Sequence, residues 1–202
     1  MQEPCQLVAF AALHTRVGSC VQKQNWAKAK QYLEAALTAH DGHAAAWHSL
    51  GKLAEARGDV LQARNAYMQG LRKVETPSAY LYEAIGSLAR RVGLIDEARY
   101  WFREGTNTAA GGRSNALWSS WGAMEWRQAG DLEQAQYCFK MALKLYSRNR
   151  YVHLTWAAME RSQGNHSAAL TLAKRGVAKN PTDALLHQVC FATTSAADSR
   201  LH

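Results

Sequence analysis

The chain has 202 residues, with 24 Lys and Arg against 16 Asp and Glu for a formal net charge of +8, and three prolines. Ala and Leu are plentiful and Val/Ile/Thr-rich alternating runs are missing, which excludes a sandwich or barrel and predicts an all-α protein. No apolar run approaches the roughly 18 residues that cross a bilayer. The four cysteines (Cys5, Cys20, Cys138, Cys190) form no CxxC pair, so they read as buried small thiols rather than a disulfide framework.

Taken in order, the chain repeats itself. The stretch LWSSWGAMEWRQAGDLEQAQYCFKMAL returns as VHLTWAAMERSQGNHSAALTLAKRGV. Met124-Glu125 matches Met159-Glu160 at a spacing of 35, and Gly130-Asp131 matches Gly164-Asn165 at 34. A period of that size means stacked units, each too small to bury its apolar face alone. Each unit reads as two antiparallel helices, A then B. The units run about 7–40, 41–75, 76–112, 113–148 and 149–181, with a partial one at 182–202.

In the first unit helix A covers roughly Leu7 to Val21 and reads as an end cap, and Asn25 stands at the break before helix B. In the second, helix A is predicted over Ala44 to Arg57 and helix B over Val60 to Val74. Gly58 supplies the left-handed position between them, Asp59 caps helix B, and Gln62 completes a capping box. The third helix A is predicted to start at Thr76-Pro77, a cap followed by proline at the first helical position. Gly93 then has a two-residue delay before Asp96. Gly111-Gly112 reads as a lengthened loop, accounting for the spacing of 37 between Ala98 and Ala135. Later starts fall near Ser114, Asn149 and Thr182, and Gln134 is placed to box with Asp131.

Large residues face small ones along this pattern. Trp47, Tyr82, Trp118 and His153 share one site on helix A, and Gly51, Gly86, Gly122 and Ala157 follow four residues on. On helix B, Ala29, Ala63, Ala98, Ala135 and Ala169 form a small row, and Leu33, Tyr67, Phe102 and Phe139 a large one.

Trp47-Leu50-Gly51, Ala63, Tyr67 and Gly70 resemble the tetratricopeptide repeat (TPR), and Pro181 falls at its closing proline. In the fourth and fifth units, Trp118, Trp121 and Trp156 precede Glu125 and Glu160 in a pattern similar to the half-a-TPR (HAT) variant of RNA metabolism. The chain most resembles the chloroplast factors that stabilise and process photosystem II messenger RNAs, and next the HAT-repeat splicing factors of the nucleus. The resemblance implies one right-handed solenoid of about five and a half repeats across residues 1–202. It implies an RNA-binding protein without cofactor, in the chloroplast or alternatively the nucleus, with messenger RNA and other RNA-processing proteins as partners.

In the TPR pattern, fixed positions of helix A line the inner surface. Carried over, they are Lys52, then Tyr80, Arg90 and Arg91, then Trp126 and Arg127, then Tyr151 and Arg161. Cations recurring through the units with aromatics between suit a single strand, phosphates on the cations and unpaired bases on the rings. The densest positive stretch is Lys140 to Lys179, whose cations face Glu160 alone. Helix electrostatics compete with that reading. An Arg near a helix C-terminus is favoured by the helix dipole, and Arg90, Arg127 and Arg161 all sit there. Trp47, Trp118, Trp121 and Trp156 read as core, leaving Trp126 and Tyr151 as the exposed aromatics. Glu125 and Glu160 read as partners of neighbouring cations. A peptide or helix in the same groove is the alternative function, although the asparagines of a chaperone-type carboxylate clamp have no counterpart, Gly18 and Ser49 standing there.

No enzyme is expected, because no nucleophile and base can be paired. His40, His43 and His48 lack the further ligands of a metal site. Gly111-Gly112-Arg113 lacks the context of a phosphate loop. MQEPCQLVAF does not look like a signal or transit peptide, and TTSAADSRLH stops partway through a helix pair, as in a piece of a longer array.

Overall fold

The computed structural model describes residues 25–198. The helix expected over Leu7 to Val21 lies outside them, as do Cys5, Gly18 and Cys20. The described residues form helices and turns with no strand, and the chain divides into two compact units, Met1–Gly111 and Gly112–His202.

The first unit holds α1 (Trp26–Ala39), α2 (Ala44–Ala56), α3 (Val60–Lys73), α4 (Ala79–Arg91) and α5 (Ile95–Asn107). The second holds α6 (Asn115–Met124), α7 (Leu132–Leu145), α8 (Arg150–Ser162), α9 (His166–Lys179) and α10 (Ala184–Asp198). Even-numbered helices are A helices and odd-numbered ones B helices. The A helices α2, α4, α6 and α8 each pack along the B helix that follows, and α10 packs on α9. Within each unit successive A helices also touch, and B helices meet through side chains, as where Arg64 of α3 pairs with Glu97 of α5 at 2.8 Å.

The breaks between A and B follow from one residue type. Gly58, Gly93, Gly130 and Gly164 all take positive φ, from 74° to 83°. At Gly58 the glycine N–H donates to Glu55 O at 2.9 Å and the Asp59 N–H to Ala54 O at 2.9 Å, closing the helix end with two reversed bonds. Caps start the helices. Asn25 accepts from the Lys28 N–H, His43 Nδ1 from Ala46, Asp59 from Gln62, Ser114 from Leu117, Asp131 from Gln134 and Asn149 from Val152.

Several expected boundaries are corrected. The third A helix begins at Ala79 after Ser78, so Thr76-Pro77 lies in the preceding turn. The helix after Gly93 begins without delay at Ile95, and Asp96 stands in its first turn rather than at its cap. Gly111-Gly112 belongs to a helical turn, Ala109–Gly112, tied down by the Gly111 N–H donating to Thr108 Oγ1 at 3.0 Å. The capping box after Asp131 is half made: the Gln134 amide turns away to Cys138 Sγ.

The facing of large and small residues is as expected. A Cβ on Gly51 would lie 2.2 Å from the Tyr67 ring, one on Gly86 2.9 Å from Phe102, and one on Gly122 2.8 Å from Phe139. Each pairs an A-helix glycine with a fully buried B-helix ring. Around these contacts lie Ala54, Ala63, Leu81, Ala84, Ile85 and Leu88 in one cluster and Ala29, Leu33, Leu37, Ala46 and Leu53 in another.

Candidate nucleic-acid interface

The expected RNA-contacting residues fall in two sets, one per unit. Each stands on an A helix or its C-terminal turn. Counted back from the helix-ending glycine, Arg90, Arg127 and Arg161 hold the same place, three residues before Gly93, Gly130 and Gly164. A helix end carries carbonyls with no further helical partner, and their dipole favours a cation near that place. In the second repeat that place holds Glu55 instead.

That exchange reshapes the first unit. Glu55, whose side chain is 12% exposed, accepts from Lys52 Nζ at 3.3 Å and from the guanidinium of Arg91. It also accepts the Tyr67 hydroxyl at 2.5 Å, and burial together with that bond pushes the Tyr67 phenol far above its ordinary range. Lys52, Glu55 and Arg91 line a cleft of about 510 Å³ with Val60 and Leu88. Two expected phosphate contacts are thus joined to one carboxylate, and the local surface is of mixed sign. Arg90 is half-buried beside them and Tyr80 is exposed, its ring 5.3 Å edge-on from His48.

The second unit differs. Its A helix α6 does not end at Met124 but widens into a π-turn over Glu125–Ala129, closed by the Gly130 N–H donating to Glu125 O. The cause is one extra residue. Helix starts at Ala44 and Val60, Ala79 and Ile95, and Arg150 and His166 are each 16 apart, whereas Asn115 and Leu132 are 17 apart. The same residue makes the two spacings of 35 and 34 between the fourth and fifth repeats disagree. Such widened turns are frequent at functional positions. This one carries Trp126 and Arg127, with the guanidinium carbon 5.0 Å from the centre of the indole ring. Arg127 is exposed and Trp126 half-buried, where full exposure was expected. Tyr151 and Arg161 on α8 are exposed. Among the described residues neither Arg127 nor Arg161 pairs with a carboxylate.

Glu125 and Glu160, expected from sequence to partner neighbouring cations, are instead buried acceptors of indole and amide N–H groups. Glu125 is fully buried and takes the Trp121 indole N–H at 2.7 Å. Glu160, 4% exposed, takes the Trp156 indole at 2.8 Å, the Gln136 amide at 2.9 Å and the Asn165 amide at 2.9 Å. Asn165 therefore commits its side chain to Glu160 and makes no cap bond of its own. Trp and Glu at i and i+4 share one helix face, so the signal stood in the sequence. Its effect on the site is electrostatic: two carboxylates are withdrawn from the surface, and the outside of the second unit is more basic than its composition.

Trp118 and Trp121 are buried and stacked at 5.7 Å, as core residues should be, and Trp47 and Trp156 are half-buried. Sequence reasoning missed the exposed rings of Tyr100, Tyr137 and Tyr146. They lie on or after B helices, which an A-helix pattern does not inspect. His43 caps α2 and His48 packs on Tyr67 and Tyr80, so two of the three histidines considered for a metal have structural roles. Among the described residues no group of three His, Cys, Asp or Glu could hold a metal ion, and no helix is long and apolar enough to cross a membrane. Burial pushes the Cys138 thiol up to about 12.

No family model matches the chain. Over 150 residues it is 44% identical to the PsbB mRNA maturation factor Mbb1, chloroplastic, of Chlamydomonas reinhardtii, a match covering 72% of this chain and 22% of that protein. The chain thus spans about a fifth of the length of the curated relative it matches. Among solved structures it is similar to PilF of Pseudomonas aeruginosa, with a TM-score of 0.75 and 17% identity over 95% of this chain and 86% of that one. It is also similar to TTC0263, a thermophilic TPR protein of Thermus thermophilus, with a TM-score of 0.66 and 15% identity over 91% and 98%. YrrB, a TPR protein with an unusual peptide-binding site, gives a TM-score of 0.61 at 12% identity over 89% and 88%. These likenesses show the fold. The chain is a TPR-type helical-repeat protein, homologous through the matched residues to a chloroplast mRNA maturation factor.

Proposed function

We propose that this TPR-type protein binds single-stranded RNA along the A-helix side of its second unit and acts in messenger-RNA processing or stabilisation in the chloroplast. The observation that carries the reading is the π-turn pair. Arg127 already lies against the Trp126 ring, so cation and flat surface stand where one nucleotide would offer a phosphate and a base. Tyr151 and Arg161 repeat the combination one unit on. The name of the curated relative supports the same reading. The mechanism is passive: a strand held on the protein is shielded from nucleases or kept from pairing, and no bond is made or broken. Because no paired polar code recurs along the A helices, sequence discrimination by this segment is weak.

A filter-binding titration with a single-stranded RNA over 50–200 mM salt tests it. The Arg127 and Arg161 contacts alone account for about a sevenfold loss of affinity across that range, at about 0.7 per contact. Replacing Arg127 and Arg161 together by Ala lowers the slope of log K against log salt by about 1.4, at about 0.7 per contact. An unchanged slope, with helical content intact by circular dichroism, removes these residues from the interface.

One observation favours a second reading for the first unit. The Lys52–Glu55–Arg91 cleft offers both signs of charge beside apolar Val60 and Leu88, which suits an extended peptide better than a polyanion.

A further inference from the structure

The strongest concentration of charge lies away from the A helices. In the second unit, Lys140 and Lys144 stand on α7, and Lys174, Arg175 and Lys179 on α9, all exposed. These are B helices. Lys140 and Lys174 hold equivalent places, each five residues after the buried Ala135 and Ala169. The B helices therefore present lysines in register, one repeat apart.

Three features join these residues into a face. Lys140 and Lys144, like Arg175 and Lys179, are i and i+4 neighbours, about 5–6 Å apart at their Cβ atoms and stacked along one side of their helix. Arg148, in the turn after α7, donates from Nε to the Lys179 carbonyl at 3.0 Å, so the C-terminal end of α7 meets that of α9. Tyr137, half of whose surface is exposed, lies one turn before Lys140 on the same stripe and supplies a flat ring. The two helices end with Lys144 and Lys179 in their last turns, where the dipole favours a cation.

What the face lacks matters as much. Glu160, the one carboxylate between Lys140 and Lys179 in sequence, is buried under Trp156, Gln136 and Asn165. Asp183 is engaged by Arg150 at 2.9 Å. Glu133, in the first turn of α7, stands two turns from Lys140. Among the described residues Lys140, Lys144, Lys174, Arg175 and Lys179 pair with no carboxylate. A solvated helix surface of ordinary composition carries interspersed signs, and the first unit does so, with Lys30–Glu34, Arg64–Glu97 and Lys73–Asp41 pairs.

We propose that this B-helix face is a second RNA-binding surface, which holds the phosphate backbone of the same single-stranded ligand without reading its sequence. The inference rests on the proposed RNA-binding function and adds a track on the opposite helix row from Arg127 and Arg161. Two i and i+4 cation pairs, Lys140–Lys144 and Arg175–Lys179, with Lys174 one repeat on from Lys140, match a ligand that presents a negative charge at every step. An acidic polypeptide is the competing occupant. Tyr137 favours the nucleic acid, because a base stacks on its ring and a carboxylate does not.

Three versions of the 202-residue chain decide it: the parent, Arg127→Ala/Arg161→Ala, and a face variant with Lys140, Lys144, Lys174, Arg175 and Lys179 all changed to Gln. Gln keeps helix propensity, and far-ultraviolet circular dichroism checks that the chain stays helical. Each is titrated with a single-stranded RNA of random sequence over a salt series. The expected result is that the face variant loses about 3.5 from the salt slope, at about 0.7 per contact, and at least tenfold in affinity at 50 mM salt. A folded face variant that keeps the parent's slope and affinity overturns the inference and leaves the A-helix reading standing. Poly-glutamate that displaces RNA from the parent as well as RNA does, at equal charge, also overturns it. A parent that binds no RNA at 50 mM salt removes the proposed function and this inference with it.

Discussion

At the scale of single residues, the second unit is organised by two buried glutamates whose partners are indoles and amides. Glu160 draws Trp156 from its own helix, Gln136 from α7 and Asn165 from the start of α9. Removing the acceptor strands those donors, so Glu160→Ala should destabilise by about 2–4 kcal/mol. Glu160→Gln keeps one acceptor but turns an amide toward a donor and should cost about half as much. Guanidinium denaturation gives the order, and a Glu160→Ala midpoint equal to the parent's would rule out this role. The sequence placed Trp and Glu one turn apart in both copies, yet reading them as surface ions was natural, because burial depends on residues 24 positions away. Cys138 supplies a pH signature. Burial holds its thiol at about 12, above the ordinary 9.0 of the unfolded chain. The native state keeps this proton while the unfolded state releases it. The contribution is therefore full below pH 9 and falls as pH rises between the two values, with a slope reaching about 1.4 kcal/mol per unit. Cys138→Ala should flatten the alkaline limb of a stability–pH curve relative to the parent. The thiol should resist alkylation in the native state in a chain whose other cysteines are changed to Ser. Parallel curves would contradict the assignment.

At the scale of the helix pair, glycines do two different jobs that substitution separates. Gly51 leaves room for Tyr67, a fully buried ring fixed by its bond to Glu55, so a methyl group there has nowhere to go. Gly51→Ala should cost about 3 kcal/mol through overpacking. Gly58 has nothing within 4 Å of its would-be Cβ and is needed only for a φ of 78°. Gly58→Ala should cost about 1–2 kcal/mol from the backbone alone. Denaturation midpoints in the reverse order would refute the distinction. These pairs were legible because a repeat aligns every glycine with the ring it faces. The π-turn was not, although the disagreement of 35 against 34 between equivalent pairs held its signal: one surplus residue must lengthen a loop or widen a helix, and local spacing does not choose. Deleting Gln128 restores the 16-residue interval of the other repeats and moves Arg127 from its place three before the glycine. Helical content should persist while RNA affinity falls about fivefold, roughly the value of one weak stacking contact. Unchanged affinity would mean that the widened turn presents nothing to RNA.

Over the whole molecule, the fold class was readable because period, capping residues and small-against-large rows all pointed to one architecture. The location of charge was not, since a net balance of +8 says nothing of which carboxylates are withdrawn from solvent or bound to cations. Glu125 and Glu160 disappear into the second unit, Glu55 ties up Lys52 and Arg91 in the first, and the basic character is redistributed accordingly. Stability is governed just as locally. In a stacked array each hairpin touches only its neighbours, so free energy is a sum of pair and neighbour contributions and need not be shared evenly. The Gly51→Ala lesson therefore extends beyond its own midpoint. Hydrogen exchange read by mass spectrometry should show faster exchange in peptides from α2, α3 and α4, whose packing runs through Tyr67, Leu81 and Ile85. Peptides from α7, α8 and α9 should keep the parent's protection, since the contacts of Phe139 with Gly122 and of Glu160 with Gln136 and Asn165 lie within the second unit. Acceleration by one common factor in every described helix would show instead that the chain opens as a single cooperative body, and nearest-neighbour additivity would fail for this array.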